Sequence, residues 1–176
     1  MKLLEIIRSA GQGAIVAKVA AEAGLDRSAA EDGLRALLPE LGQAIRRTGE
    51  GGARTPSLEA ALRDERYGRY LDDPAALREP AAAADGGRVL AEVLGAEERE
   101  ELVRRVAATI GQGEGEVRKL LPLVATLAMA ALGRQLRAPT PGIPWFGTRP
   151  GDHFDAPLLN ALAAMFEQDG EPPQRQ

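Results

Sequence analysis

Residues 120–133 read LLPLVATLAMAALG, and the placement of this run decides the fold. It spans about 14 residues, short of the roughly 20 that cross a bilayer, so it reads as a buried helix. Its alanines and leucines are strong helix formers. A second Leu-Leu-Pro lies far upstream in LLPEL, 37–41. The two segments raise the question of whether one helical unit occurs twice.

Shifting the chain by 87 residues lays 3–47 on 90–134 without a gap. Leu3, Glu5, Ile6 and Ile7 fall on Leu90, Glu92, Val93 and Leu94, and IVAKVAAEAG (15–24) falls on LVRRVAATIG (102–111). Farther on, Leu34, Leu37, Leu41 and Ile45 meet Leu121, Val124, Ala128 and Leu132. Only about ten positions are identical, but the apolar pattern keeps helical phase throughout. The two prolines miss each other by four residues, close to one helical turn. Pro122 is expected near the start of its helix, where a missing N–H is tolerated, and Pro39 later, where it imposes a kink.

Each copy reads as helix, turn, helix. Ile15, Val16, Val19, Ala20 and Ala23 follow the spacing of one helix face, and Gly24 supplies a left-handed stop. Asp26 or Ser28 caps the next helix, whose apolar face is Leu34, Leu37, Leu38, Leu41 and Ile45. Burying those five side chains contributes on the order of 8–15 kcal/mol before entropy is subtracted. In the second copy Glu97, Glu98, Glu100 and Glu101 occupy the first turns, where acid complements the helix dipole. Glu100–Arg104 and Glu101–Arg105 have the spacing of intrahelical ion pairs on a solvated face.

The expected architecture is all-α, an internally duplicated helical bundle of two similar three-helix units plus a connector and a C-terminal helix. Residues 1–47 form the first unit, 48–87 a partly helical connector, 88–137 the second unit, 138–169 a Pro/Gly strap and last helix, and 170–176 a tail. TGEGGARTP (48–56) is a glycine-rich break, Thr55-Pro56 starts a short helix, and Asp73 caps a turn whose first residue is Pro74. AAAADGG leads into the second unit. Asp155 caps the last helix, which carries Leu158, Leu159, Leu162, Met165 and Phe166 and is expected to pack across both units.

Composition narrows the function. The chain is 44% hydrophobic but 3% aromatic, so its core is mostly Ala, Leu and Val, and long β-branched runs are missing. A formal net charge of −4 argues against broad phosphate binding. With no cysteine, disulfides, thiolate catalysis and cysteine metal sites are excluded. MKLLEIIRSAGQG carries Glu5 and Arg8 where a signal peptide needs an apolar run, so it reads as an amphipathic helix with Leu3, Leu4, Ile6 and Ile7 turned inward. The expectation is a cytoplasmic protein without membrane contact.

RYLDDPAAL (69–77), ADGGRVLAEVLG (84–95), VRRVAATIG (103–111) and VRKLLPLVATLAMAALGRQ (117–135) follow one another in an order that resembles the bacterial YidB-like family, a domain of unknown function. The resemblance covers most of residues 10–135 and extends loosely to LLNALAAMF (158–166). It implies an all-helical bacterial protein without an established activity, and it carries over no catalytic residue. Many members have an Asp-rich stretch before the last helix. Here the matching place is RPGDHFDAPLL, and Asp152 and Asp155 alone do not make a calcium loop.

Three functional classes remain. The first is a non-enzymatic interaction module that self-associates or grips a partner helix, needing no cofactor or metal. The helix at 120–133 is available to a shared core, and IPWFG places Ile143, Trp145 and Phe146 in a strap where they can anchor a partner. The second is helix-turn-helix DNA binding by 16–37, which also resembles the helical part of the bacterial histone-like HU proteins. Its would-be recognition helix carries Asp26, Arg27, Glu31, Asp32 and Arg35, net negative and without a basic ribbon. The third is an enzyme built on His153, the only histidine, flanked by Asp152 and Asp155, but no nucleophile motif accompanies it. GQGEG (111–115) follows a helix and is no phosphate loop, and Asp72-Asp73 is explained by capping. No catalytic residue is assigned. The interaction module is the favoured reading.

Overall fold

The structure is a computed structural model that describes residues 3–51, 55–137 and 156–167. Among these residues the chain forms helices and no strand. The α-helices are α1 (Leu3–Ser9), α2 (Ala14–Ala23), α3 (Arg27–Glu50), α4 (Pro56–Arg63), α5 (Arg69–Asp72), α6 (Pro80–Val93), α7 (Ala96–Ile110), α8 (Glu114–Arg137) and α9 (Ala156–Glu167). Short 3-10 turns at Ala10–Gly13, Glu65–Gly68 and Pro74–Arg78 link some of them.

The apolar run 120–133 forms the body of α8, and it is the axis of the fold. Its residues 120, 121 and 123–133 are all buried. A helix apolar on every side needs neighbours on every side, and α8 touches α1, α2, α3, α4, α5, α6 and α7. One continuous core therefore joins both halves of the chain, including Leu34 and Leu37 of α3 and Leu162 and Phe166 of α9. This corrects the expectation that 120–133 is available to a partner: its own chain encloses it.

Local signals fixed several joints. Gly24 closes α2 with φ 75° and Gly111 closes α7 with φ 67°. The Asp26 carboxylate accepts from Ala29 N at 2.8 Å, so it and not Ser28 caps α3. Asp73 accepts from Ala75 N at 2.9 Å ahead of Pro74, as expected, although the element is a 3-10 turn. Between α1 and α2 the chain reverses through three left-handed residues, Gly11, Gln12 and Gly13.

Other expectations give way to packing. Pro122 is the ninth residue of α8 and not near its start, and α3 continues through Pro39. An internal proline costs about 3 kcal/mol, and here burial of the surrounding helix outweighs it. Likewise α3 runs on to Glu50 through the glycine-rich break expected from residue 48, its Gly49 buried. The AAAADGG segment lies inside α6, which is helical from Pro80 to Val93. Gly86 survives there because α6 crosses α8 so closely that a Cβ would overlap the Pro122 carbonyl.

The charges of α7 also pair differently from expectation. Glu100 reaches Arg118 of α8 at 2.6 Å, and Arg105 reaches Glu40 of α3 at 2.7 Å. Arg47 of α3 adds a contact to Glu98 at 2.9 Å. These are bridges between helices instead of along one, because α7 lies against α3 and α8. Each lies at the surface, where water screens it, and so contributes little to stability. No helix of the described residues is long and apolar enough to cross a membrane.

Candidate functional site

Helix α3 buries two opposite faces. A Cβ on Gly33 would run into the Leu120 side chain of α8. Gly42, nine residues later and therefore about 180° around the helix, faces α9. A Cβ there would lie 2.5 Å from Phe166 Cβ and 2.9 Å from the Ala163 carbonyl. The missing side chain is thus a notch into which α9 presses. Leu162, Ala163 and Phe166 form the buried face of α9, at most 1% exposed. By helical spacing Leu38, Ile45 and Gly49 share the stripe of Gly42, and all are buried. The seat is an apolar trough with a glycine floor, and a helix lies in it. α9 thus packs on α3, not across both halves as expected.

α9 also carries one buried polar atom without a described partner. The side-chain Oδ1 of Asn160 on α9 is buried and accepts no hydrogen bond from a described residue. Leaving a buried acceptor unsatisfied costs about 1–3 kcal/mol.

A second, polar feature lies where α4, α5 and the intervening 3-10 turn meet α6. These short elements are pinned from outside. The Glu92 carboxylate of α6 accepts from Ser57 N at 2.7 Å and Leu58 N at 3.0 Å, supplying the first turn of α4 with the acceptors it lacks. Arg134 of α8 pairs with Asp72 at 2.6 Å, and Arg137 donates to the Leu62 carbonyl at 3.2 Å. The result is an open cleft of about 780 Å³.

Its floor is the pair Tyr67 and Tyr70, edge to face with ring centroids 5.8 Å apart. The Tyr70 hydroxyl donates to Asp85 Oδ2 at 2.8 Å, while Arg88 Nη1 pairs with Asp85 Oδ1 at 3.0 Å. The Arg69 guanidinium lies 5.1 Å from the Tyr70 ring centre and reaches Glu79 at 2.6 Å. Arg66 holds Asp64 through Nε and Nη2, and this pairing keeps the Asp64 carboxyl below its ordinary range. Burial pushes the Tyr67 phenol up to about 12 and raises that of Tyr70 as well. Near neutral pH both phenols keep their protons, so they act as hydrogen-bond donors and not as bases or nucleophiles.

Ile143, Trp145 and Phe146, the sequence-based candidates for partner binding, lie outside the described residues, as do Asp152, His153 and Asp155. Among the described residues no group of three potential metal ligands converges. On the would-be recognition helix, Asp26 is used as a cap and Arg35 is held by Asp32 at 3.2 Å and Glu31 at 3.6 Å. Asp73 caps, as expected, and Asp72 pairs with Arg134. Sequence reasoning missed both the Gly42 notch and the tyrosine cleft. The three-residue spacings Tyr67–Tyr70 and Asp85–Arg88 were the only local hints, since the two pairs meet only once α5 folds onto α6.

The family model that matches the chain, over residues 5–135, is described as a bacterial protein of unknown function (DUF937). No curated protein and no solved structure matches it. The matched segment takes in α3 and the tyrosine cleft and ends before α9. The chain belongs to this bacterial family of unknown function.

Proposed function

We propose that this family member is a non-enzymatic interaction module that grips an amphipathic helix of a partner protein in the trough of α3. In the isolated chain α9 fills the trough as a resident stand-in. The observation that carries this reading is the Gly42 notch occupied by Phe166. It gives the required partner chemistry: a small residue followed three positions later by a phenylalanine, on a helix with apolar neighbours. A second observation narrows the choice of surface. Among the described residues no Leu, Ile, Val, Met, Phe or Tyr is exposed, so a helix seeking apolar contact finds it in the trough or not in this part of the molecule. The buried Asn160 Oδ1 has no described partner, so Asn160→Leu in a competing helix removes a cost that α9 carries when docked.

The test uses a labelled peptide of residues 156–167 carrying Asn160→Leu, titrated into the full chain and into its Phe166→Asp variant. The variant, whose own α9 no longer fits, is expected to bind the peptide, and the wild-type chain to bind it at least about tenfold more weakly, because the resident helix competes. A Phe166→Asp peptide is expected not to bind. Absence of binding to the opened variant contradicts the proposal. A doubling of native mass without added peptide would assign the trough to α9 of a second copy instead.

We also infer that the chain is internally duplicated and YidB-like. Duplication is supported by joints that repeat at the same offset. α3 and α8 are both 24 residues long and begin at Arg27 and Glu114. Leu25 N donates to the Ala20 carbonyl at 2.8 Å just as Gln112 N donates to Ala107 at 3.0 Å. The YidB-like reading rests on the order of segments between 69 and 135.

A further inference from the structure

The cleft over Tyr67 and Tyr70 has a use that helix gripping does not require. We propose that it binds a small organic anion, a carboxylate or phosphate group carried on a planar ring, with the oxyanion held by Arg66, Arg88 and the Tyr67 hydroxyl. This inference is independent of the α3 trough, which lies on other elements.

Three arginines line the cleft, each paired with one carboxylate, Asp64, Asp85 or Glu79. The existing ion pairs do not exhaust the donors. Asp85 takes only Nη1 of Arg88, leaving its Nε and Nη2 without a described partner. Asp64 takes Nε and Nη2 of Arg66 and leaves Nη1. Both guanidiniums project into water, with side-chain exposures of 87% for Arg66 and 69% for Arg88, while the aspartates fix their orientation. The Tyr67 hydroxyl donates to no described residue, in contrast to that of Tyr70. An oxyanion accepts several such donors at once, and guanidinium suits its planar or tetrahedral oxygens.

The size and the guanidinium planes select the rest of the ligand. A volume of about 780 Å³ falls in the range of small-molecule sites. The edge-to-face tyrosine pair is largely buried, Tyr67 at 9% and Tyr70 at 2% exposure, so the exposed guanidinium planes of Arg66 and Arg88 are what a planar ring stacks on. Ala60, Ala61 and Ala81 leave room beside it.

Benzoate and adenosine monophosphate serve as the two probes, one carboxylate and one phosphate, with the tyrosine ring signals followed by NMR in the full chain. At least one probe is expected to shift the ring signals saturably, and the stronger of the two identifies the oxyanion. Arg66→Gln combined with Arg88→Gln is expected to weaken that binding by about tenfold or more. Tyr67→Phe, which keeps the packing and removes the donor, is expected to weaken it a few-fold. Circular dichroism checks that the variants keep their helices. The inference is overturned if neither probe gives a saturable shift at millimolar concentration, or if the double variant binds as tightly as the parent.

Discussion

Gly86 and Pro122 meet backbone to backbone: α6 crosses α8 at the point where Gly86 has no side chain and Pro122 offers its carbonyl. The Thr126 hydroxyl sits in the same crossing, 2.5 Å from the Ala82 carbonyl and 3.1 Å from that of Pro122. A residue poor in helix propensity is therefore kept inside α6 because only hydrogen fits there. Gly86→Ala is expected to destabilise the fold by about 1–3 kcal/mol or more, since backbone has to move, and Gly87→Ala, which meets open space, to be neutral or slightly stabilising. Urea midpoints of the two variants check this, and equal shifts would contradict the crossing.

Gly42→Leu fills the notch under Phe166. The core around α8 is expected to persist while α9 loses its seat, so limited proteolysis should cut within α9 while α1–α8 stay intact. A variant whose α9 stays protected would show that the notch does not govern its docking.

The Glu92 carboxylate of α6 caps the first turn of α4 from outside that helix. Glu92→Ala is expected to cost about 0.5–2 kcal/mol, in the range of lost helix caps. Glu92→Gln keeps an acceptor but loses the charge facing the helix N-terminus and should cost less. Thermal unfolding of the pair distinguishes them; equal losses would assign the effect to packing.

The chain has two tyrosines, and burial raises both phenols. A phenol whose folded pKa lies above its unfolded value stabilises the fold fully below the unfolded value, near 10, and the gain is lost as pH rises through the folded one, about 12 for Tyr67. Stability is thus expected to fall across that interval. Phenolate absorbance should show at most slight ionisation of Tyr67 at pH 10 in the native chain, against about half in urea. Half-ionisation of Tyr67 at pH 10 without denaturant would contradict its burial.

The legible parts of this fold are those set by neighbours in sequence. Ile15, Val19 and Ala23 follow one helix face, Gly24 and Gly111 stop helices, and Asp26 and Asp73 cap. The apolar run in α8 announced its burial by length and composition. The illegible parts depend on contacts between distant residues. Gly86 reads locally as a break and Pro122 as a first-turn residue, yet both lie well inside helices, at the point where α6 crosses α8. Glu92 reads as one more surface acid until α4 is set beside it. The candidate sites were hidden for the same reason. Gly42 looks like a weak point in α3 until Phe166 arrives from more than a hundred residues away, and Tyr70 meets Asp85 only through the turn at Pro74–Arg78.

Helix gripping depends on the trough of α3, and amide hydrogen exchange there tests it most directly. In Phe166→Asp the amides of α3 around Gly42 should exchange faster than in the parent, while those around Gly33, which face α8, stay slow. Adding the peptide of residues 156–167 with Asn160→Leu should restore protection around Gly42 alone. If protection around Gly42 is unchanged by both the substitution and the peptide, α3 does not grip helices and the proposed function is wrong.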